Sequence, residues 1–103
     1  MTDDSFLEYV LEQLVEIRQL STRPMFGGYG LYMGGIIFGI VHKGALYLRT
    51  DAASRAEYVR AGSRPFNPRG RQELHRYYEV PAEILDDAQV LCAWARVAAN
   101  TGR

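Results

Sequence analysis

Three groups of residues in this chain of 103 have types and spacings that chemistry uses: a glycine run, one cysteine with two histidines, and an arginine-rich segment. Gly28, Gly30 and Gly34 spell G-x-G-x-x-x-G, one residue longer than the dinucleotide fingerprint. That fingerprint grips a pyrophosphate only where a strand leads through the glycines into a helix N-terminus. Here a helical pattern and Pro24 come before the glycines and a strand pattern after them. The context excludes a phosphate cradle, and no G-x-x-x-x-G-K-[ST] run offers a second one. No cofactor is therefore expected.

Cys92 is the only cysteine, so an internal disulfide is impossible and a reducing compartment fits. It shares helical spacing with Ala88, Ala95 and Ala99, a small-residue face on which a thiol packs as a small apolar group. The two histidines, His42 and His75, fall at strand ends with no H-x-x-x-H or C-x-x-C spacing, so no metal site is expected. An acid–base role for His75 beside Glu73 or Glu79 needs positioning that nothing in the sequence supplies. No catalytic residue is assigned, and the chain is expected not to be an enzyme.

Residues 54–76 hold Arg55, Arg60, Arg64, Arg69, Arg71 and Arg76 against Glu57 and Glu73, an excess of four positive charges. Arg60, Arg64, Arg69, Arg71 and Arg76 are the candidate contacts for a partner or for nucleic acid. A zero net charge argues against strong nucleic-acid binding, whose affinity comes mainly from neutralising phosphates. Seven tyrosines and four phenylalanines add aromatic surface. Tyr77 and Tyr78 are adjacent on a strand and must leave opposite faces. An exposed sheet carrying Tyr29, Tyr47 or Tyr77 beside arginines suits base stacking or, preferably at this net charge, a protein interface. A protein partner or a homodimer is expected, with nucleic acid second and no small-molecule substrate.

The elements that must position these residues follow from periodicity. Ser5 and Glu8 read as a capping box, and Phe6, Leu7, Val10, Leu11, Leu14 and Ile17 predict an amphipathic helix over residues 5–19. Seven of the ten glycines lie between Gly27 and Gly44, among aromatic and β-branched residues, which describes strands joined by tight turns. Strands are predicted over 29–33, 36–42 and 45–50, with two-residue turns at Gly34-Gly35 and Lys43-Gly44. Asp51 is placed as the N-cap of a helix through Arg60 that ends at Gly62. Two short strands follow, 65–67 and 74–80, turning at Pro68-Arg69-Gly70, with the first limited to an edge by its prolines. Pro81–Leu85 predicts one helical turn. A last helix, capped by Asp86 or Asp87, runs to Asn100 with Val90, Leu91, Trp94, Val97 and Ala98 buried and Gly102 at its C-cap. The expected fold is α+β: a two-layer sandwich on an antiparallel sheet in the order α-β-β-β-α-β-β-α.

Length sets one domain over residues 1–103. No apolar run approaches the roughly 20 residues that span a bilayer, and the acidic MTDDSF start is unlike a secretory leader. A cytoplasmic location with no membrane contact is expected.

The run Met25-Phe26-Gly27-Gly28-Tyr29-Gly30-Leu31-Tyr32 resembles the signature of the TfoX/Sxy N-terminal domain family. Phe38-Gly39, Leu46-Tyr47-Leu48-Arg49, Pro65-Phe66, Tyr77-Tyr78-Glu79-Val80-Pro81 and Trp94-Ala95 recur in the order that family shows. The resemblance spans nearly the whole chain and implies a two-layer α/β domain. Its eponymous bacterial members regulate transcription of the genes for competence, the uptake of DNA. It brings no catalytic residues with it. Full-length regulators carry a second, helical domain, so this chain is expected to be a stand-alone N-terminal domain. An aromatic is also more usual than Pro68 after Pro-Phe.

Overall fold

A computed structural model describes residues 3–25, 27–67 and 74–101, with the backbone alone for Asp3, Leu74 and His75. Four helices and six strands follow one another as α1 (Asp3–Gln13), β1 (Leu20–Met25), β2 (Gly28–Met33), β3 (Ile36–His42), β4 (Ala45–Arg49), α2 (Ala52–Arg60), β5 (Pro65–Phe66), β6 (Leu74–Glu79), α3 (Ala82–Leu85) and α4 (Ala88–Thr101). The strands form one antiparallel sheet in the order β1-β2-β3-β4-β6-β5. The α+β class and the antiparallel sheet are as the sequence predicts. The order gains a strand between the first helix and the glycine run.

That extra strand corrects the reading of residues 14–25. α1 ends at Gln13 rather than residue 19. The Leu14 amide still bonds the Val10 carbonyl, but the Val15 and Ile17 amides reach back only three residues, to Glu12 and Leu14. The helix tightens into turns, Gln19 takes a left-handed φ of 60°, and β1 begins. Leu14 and Ile17 are buried because the turn folds them onto the core rather than by helical spacing. Ser5 lies inside α1, so it is not the N-cap. β1 is an edge strand, where Pro24 is tolerated without breaking a ladder bond.

The two-residue turns behave as their residues require. Gly34 and Gly35 have φ of 58° and 84°, and Lys43 and Gly44 have 49° and 74°, the doubly left-handed geometry that matches strand twist. In the β2–β3 ladder the register slips between Leu31 and Tyr32: Leu31 faces Gly39 and Tyr32 faces Ile37. Phe38 is the extra residue of this bulge, and it is fully buried in the core.

α2 confirms its predicted cap. Asp51 accepts a bond from the Ser54 amide at 2.8 Å while the Ser54 hydroxyl accepts one from the Asp51 amide at 3.0 Å. These bonds hold the Asp51 carboxyl below its ordinary 3.8. Gly62, at φ 76°, closes the other end. In α4 the predicted stripe is rotated. Leu91, Cys92, Ala95, Ala98 and Ala99 are buried, whereas Val97 is 49% exposed and Trp94 is half-buried. Small residues let the helix lie close on β3 and β4, so the face chosen is the tight-packing one rather than the most apolar one. The expected C-cap at Gly102 and the turn at Pro68-Arg69-Gly70 lie outside the described residues.

The core joins Phe6, Val10 and Leu14 of the N-terminal segment to Leu91, Ala95 and Ala98 of α4 over Leu31, Phe38, Leu46 and Leu48 of the sheet. Polar bonds tie its rim. The Tyr9 hydroxyl donates to Asp86 at 2.6 Å, and the Gln13 amide donates to the Leu85 carbonyl at 3.0 Å.

Candidate functional site

Strand alternation sorts the sheet into two surfaces. Leu20, Tyr29, Leu31, Val41, Leu46, Leu48 and Tyr78 face the helices. Their neighbours point the other way: Arg23 and Met25 on β1, Tyr32 on β2, Ile37 and Ile40 on β3, Tyr47 and Arg49 on β4, Tyr77 and Glu79 on β6. This second surface is the candidate functional site.

It has two halves. Toward β5, Phe66 meets Tyr47 at 4.8 Å and His42 edge-on at 5.3 Å between ring centroids, and Phe66, Ile40 and His42 are buried. His42 is thus an aromatic packing partner. Toward β1 the surface opens. The Arg23 guanidinium sits 5.2 Å over the Tyr32 ring, beside half-buried Ile37 and Met25. Gly30 is the floor beneath them: a Cβ there would stand 3.1–3.3 Å from Tyr32, Met25 and Ile37.

Arg49 lies opposite Tyr77 in the β4–β6 ladder, with its charge close to the Tyr77 phenol. Burial pushes the Tyr77 phenol up and Arg49 pulls it part of the way back. Burial, and then the nearby Glu79 carboxylate, raises Tyr47. Both rings therefore carry neutral hydroxyls over the physiological range, as donors and acceptors rather than as bases.

The sequence offered Tyr29, Tyr47 or Tyr77 for an exposed sheet face. The structure keeps Tyr47 and Tyr77 there and moves Tyr29 to the helix side, where its hydroxyl bonds Asp4 of α1. Tyr77 and Tyr78 do leave opposite faces, and Tyr78 enters the core. The arginines of the surface, Arg23 and Arg49, are not those of the basic segment. Their mark in the sequence is alternation, since each is two residues from another side chain of the same surface.

The basic segment lies elsewhere. Arg60 pairs with Glu57 at 3.0 Å on exposed α2. Arg64 is exposed on the link to β5, and its carbonyl accepts from the Glu79 amide. Arg76 is exposed on β6, with its carbonyl taken by the Thr50 amide and hydroxyl. Arg69, Arg71 and the signature residue Phe26 lie outside the described residues. The rest of the signature is structural: Met25, Gly27, Gly28, Tyr29, Gly30 and Tyr32 end β1, turn the chain and start β2. Gly28 approaches β3 so closely that a Cβ would stand 2.0 Å from the Val41 carbonyl oxygen.

Cys92 is buried, and loss of solvation pushes its thiol up, so it is held as the unreactive thiol. Among the described residues no three His, Cys, Asp or Glu side chains gather to hold a metal. None of the described helices is long and apolar enough to cross a membrane.

Fold and surface together define a small α+β domain with one face given to its core and an aromatic–arginine face turned outward. The chain belongs to the TfoX N-terminal domain family, whose model matches residues 12–101. Comparison with curated proteins gives no match.

Proposed function

We propose that this domain is a non-enzymatic regulatory module that works by binding a protein partner through the outward face of its sheet. By family, the control it serves is that of competence genes in a bacterial cytoplasm. One observation carries the reading: half-buried Tyr32, Ile37, Arg49 and Tyr77 and exposed Arg23 share a surface on which none of the core helices packs. Tyrosine and arginine anchor interfaces because each offers a large stacking area with a polar end. The complementary partner brings apolar side chains for Tyr32 and Ile37 and a carboxylate for Arg23.

The test is light scattering at micromolar concentration together with capture of partners from the source cells. Wild type is expected to form a defined complex, with itself or with another protein, and the double substitution Arg23→Glu, Tyr32→Ser to lose it while keeping its fold. A chain that stays monomeric and retains no protein sinks the reading. Nucleic acid is the second reading, through Arg60, Arg64, Arg69, Arg71 and Arg76. It would take over if a strand were retarded at low salt, released steeply as salt rose, and lost on reversing Arg69 and Arg71.

A further inference from the structure

A cleft of about 250 Å³ opens on the helix side, between α2 and α4 at the end of β4, and shares Arg49 with the edge of the aromatic–arginine face. Arg49, Ser54, Glu57, Tyr58, Trp94 and Val97 line it. Its inner wall is aromatic, with the Tyr58 ring edge-on to Trp94 at 4.8 Å and 6.1 Å from Tyr78. Tyr58 is only 3% exposed, so its ring is a core ring.

The hydroxyl is what the core does not explain. Phenylalanine would fill the same space, and among the described residues the Tyr58 hydroxyl has no protein hydrogen-bond partner. It is not sealed away either, because no side-chain oxygen buried from solvent lacks a partner among the described residues. The oxygen therefore keeps a small contact with the exterior, and Tyr58 is among the residues that line the cleft. Burial raises its phenol, so it is a fixed neutral donor and acceptor. A ligand that displaces water from this oxygen must return a hydrogen bond to it.

We infer that this cleft is a binding site for a small, uncharged, planar aromatic molecule, with the ring against Trp94 and Val97 and a polar substituent on the Tyr58 hydroxyl. The charge class follows from the lining. The lining holds one acid and one base, Glu57 and Arg49, and Glu57 is already paired with Arg60, so it offers no excess of either charge to compensate a buried ligand charge. The size admits one ring with a substituent, a fragment whose affinity falls near about 1 mM. Partly exposed Val97, unexplained as a surface residue, becomes the outer lip of the site.

Trp94 is the only tryptophan, so its fluorescence reports the cleft directly. Benzamide titrated into the full chain is expected to change that emission saturably, where free tryptophan shows only linear quenching. Tyr58→Phe keeps the packing and leaves the melting temperature unchanged, yet weakens benzamide about tenfold, the share of one hydrogen bond. Val97→Glu, at an exposed position, weakens it as well and serves should Tyr58→Phe fail to fold. Linear quenching alone, or equal affinity in both variants, overturns the site. Benzoate or benzylamine binding as tightly as benzamide overturns the uncharged class.

Discussion

The two faces of this sheet are built from alternate residues of the same strands and obey different rules. On the helix side Leu31, Phe38, Leu46, Leu48 and Leu91 are fully buried, and any loss of volume there leaves a cavity. On the outward side Tyr32, Ile37 and Tyr77 are half-buried, and Arg23 and Arg49 lie over or beside rings. The first face carries the main core, and the second packs only toward β5, around Phe66 and Ile40, and opens toward β1. Tyr77 and Tyr78 show the division at its sharpest: neighbours in sequence, one half-buried opposite Arg49 and the other in the core.

The change that breaks both faces at once is Gly28→Ala. Its Cβ would collide with the β3 backbone at Val41, which has no flexible end to yield. A loss of about 4 kcal/mol or more is expected, read as an unfolded or insoluble protein in circular dichroism.

A matched pair then measures the difference between the faces. Leu91→Ala empties space in the core and is expected to cost about 2–5 kcal/mol, whereas Ile37→Ala on the outward face is expected to cost about 1 kcal/mol or less. Equal values in urea unfolding would erase the distinction drawn here.

The smallest effect concerns neither face. Folding holds the Asp51 carboxyl below its ordinary 3.8, so its cap contributes at neutral pH and the contribution disappears as pH falls through the folded value. Asp51→Asn keeps an acceptor at the cap but does not titrate. Its melting temperature should therefore depend less on pH below 3.8 than that of wild type, and matching slopes would show that the cap carries no charge effect.

Much of this division is legible in the sequence because strand alternation and turn chemistry are local. Gly34-Gly35 and Lys43-Gly44 fix two hairpins, and Leu46, Tyr47, Leu48 and Arg49 declare their faces by position alone. What escapes the sequence depends on contacts far along the chain. Leu14 and Ile17 keep a helical period although the helix has ended, because the same core buries them from a turn. α4 turns its alanines inward and exposes Val97 because close approach to β3 and β4 outweighs apolar size. Of the site, Tyr47, Tyr77 and Arg49 follow from alternation. Arg23 does not, since Pro24 disguises β1 as a loop. The face of Tyr29 stays open for the same reason: without β1 and α1 in place, nothing marks which side of β2 the helices cover.

The strand order also sets a sequence in time. β1 to β4 are consecutive neighbours joined by tight turns, so their ladders close short loops at small entropic cost. The bonds from Tyr9 to Asp86 and from Gln13 to Leu85 join residues 77 and 72 positions apart. Non-local closures of that kind slow folding. The glycine-rich meander is the nucleus expected to assemble first, and the lid of helices, fastened by those two bonds across nearly the whole chain, is the last part to dock and the first to open.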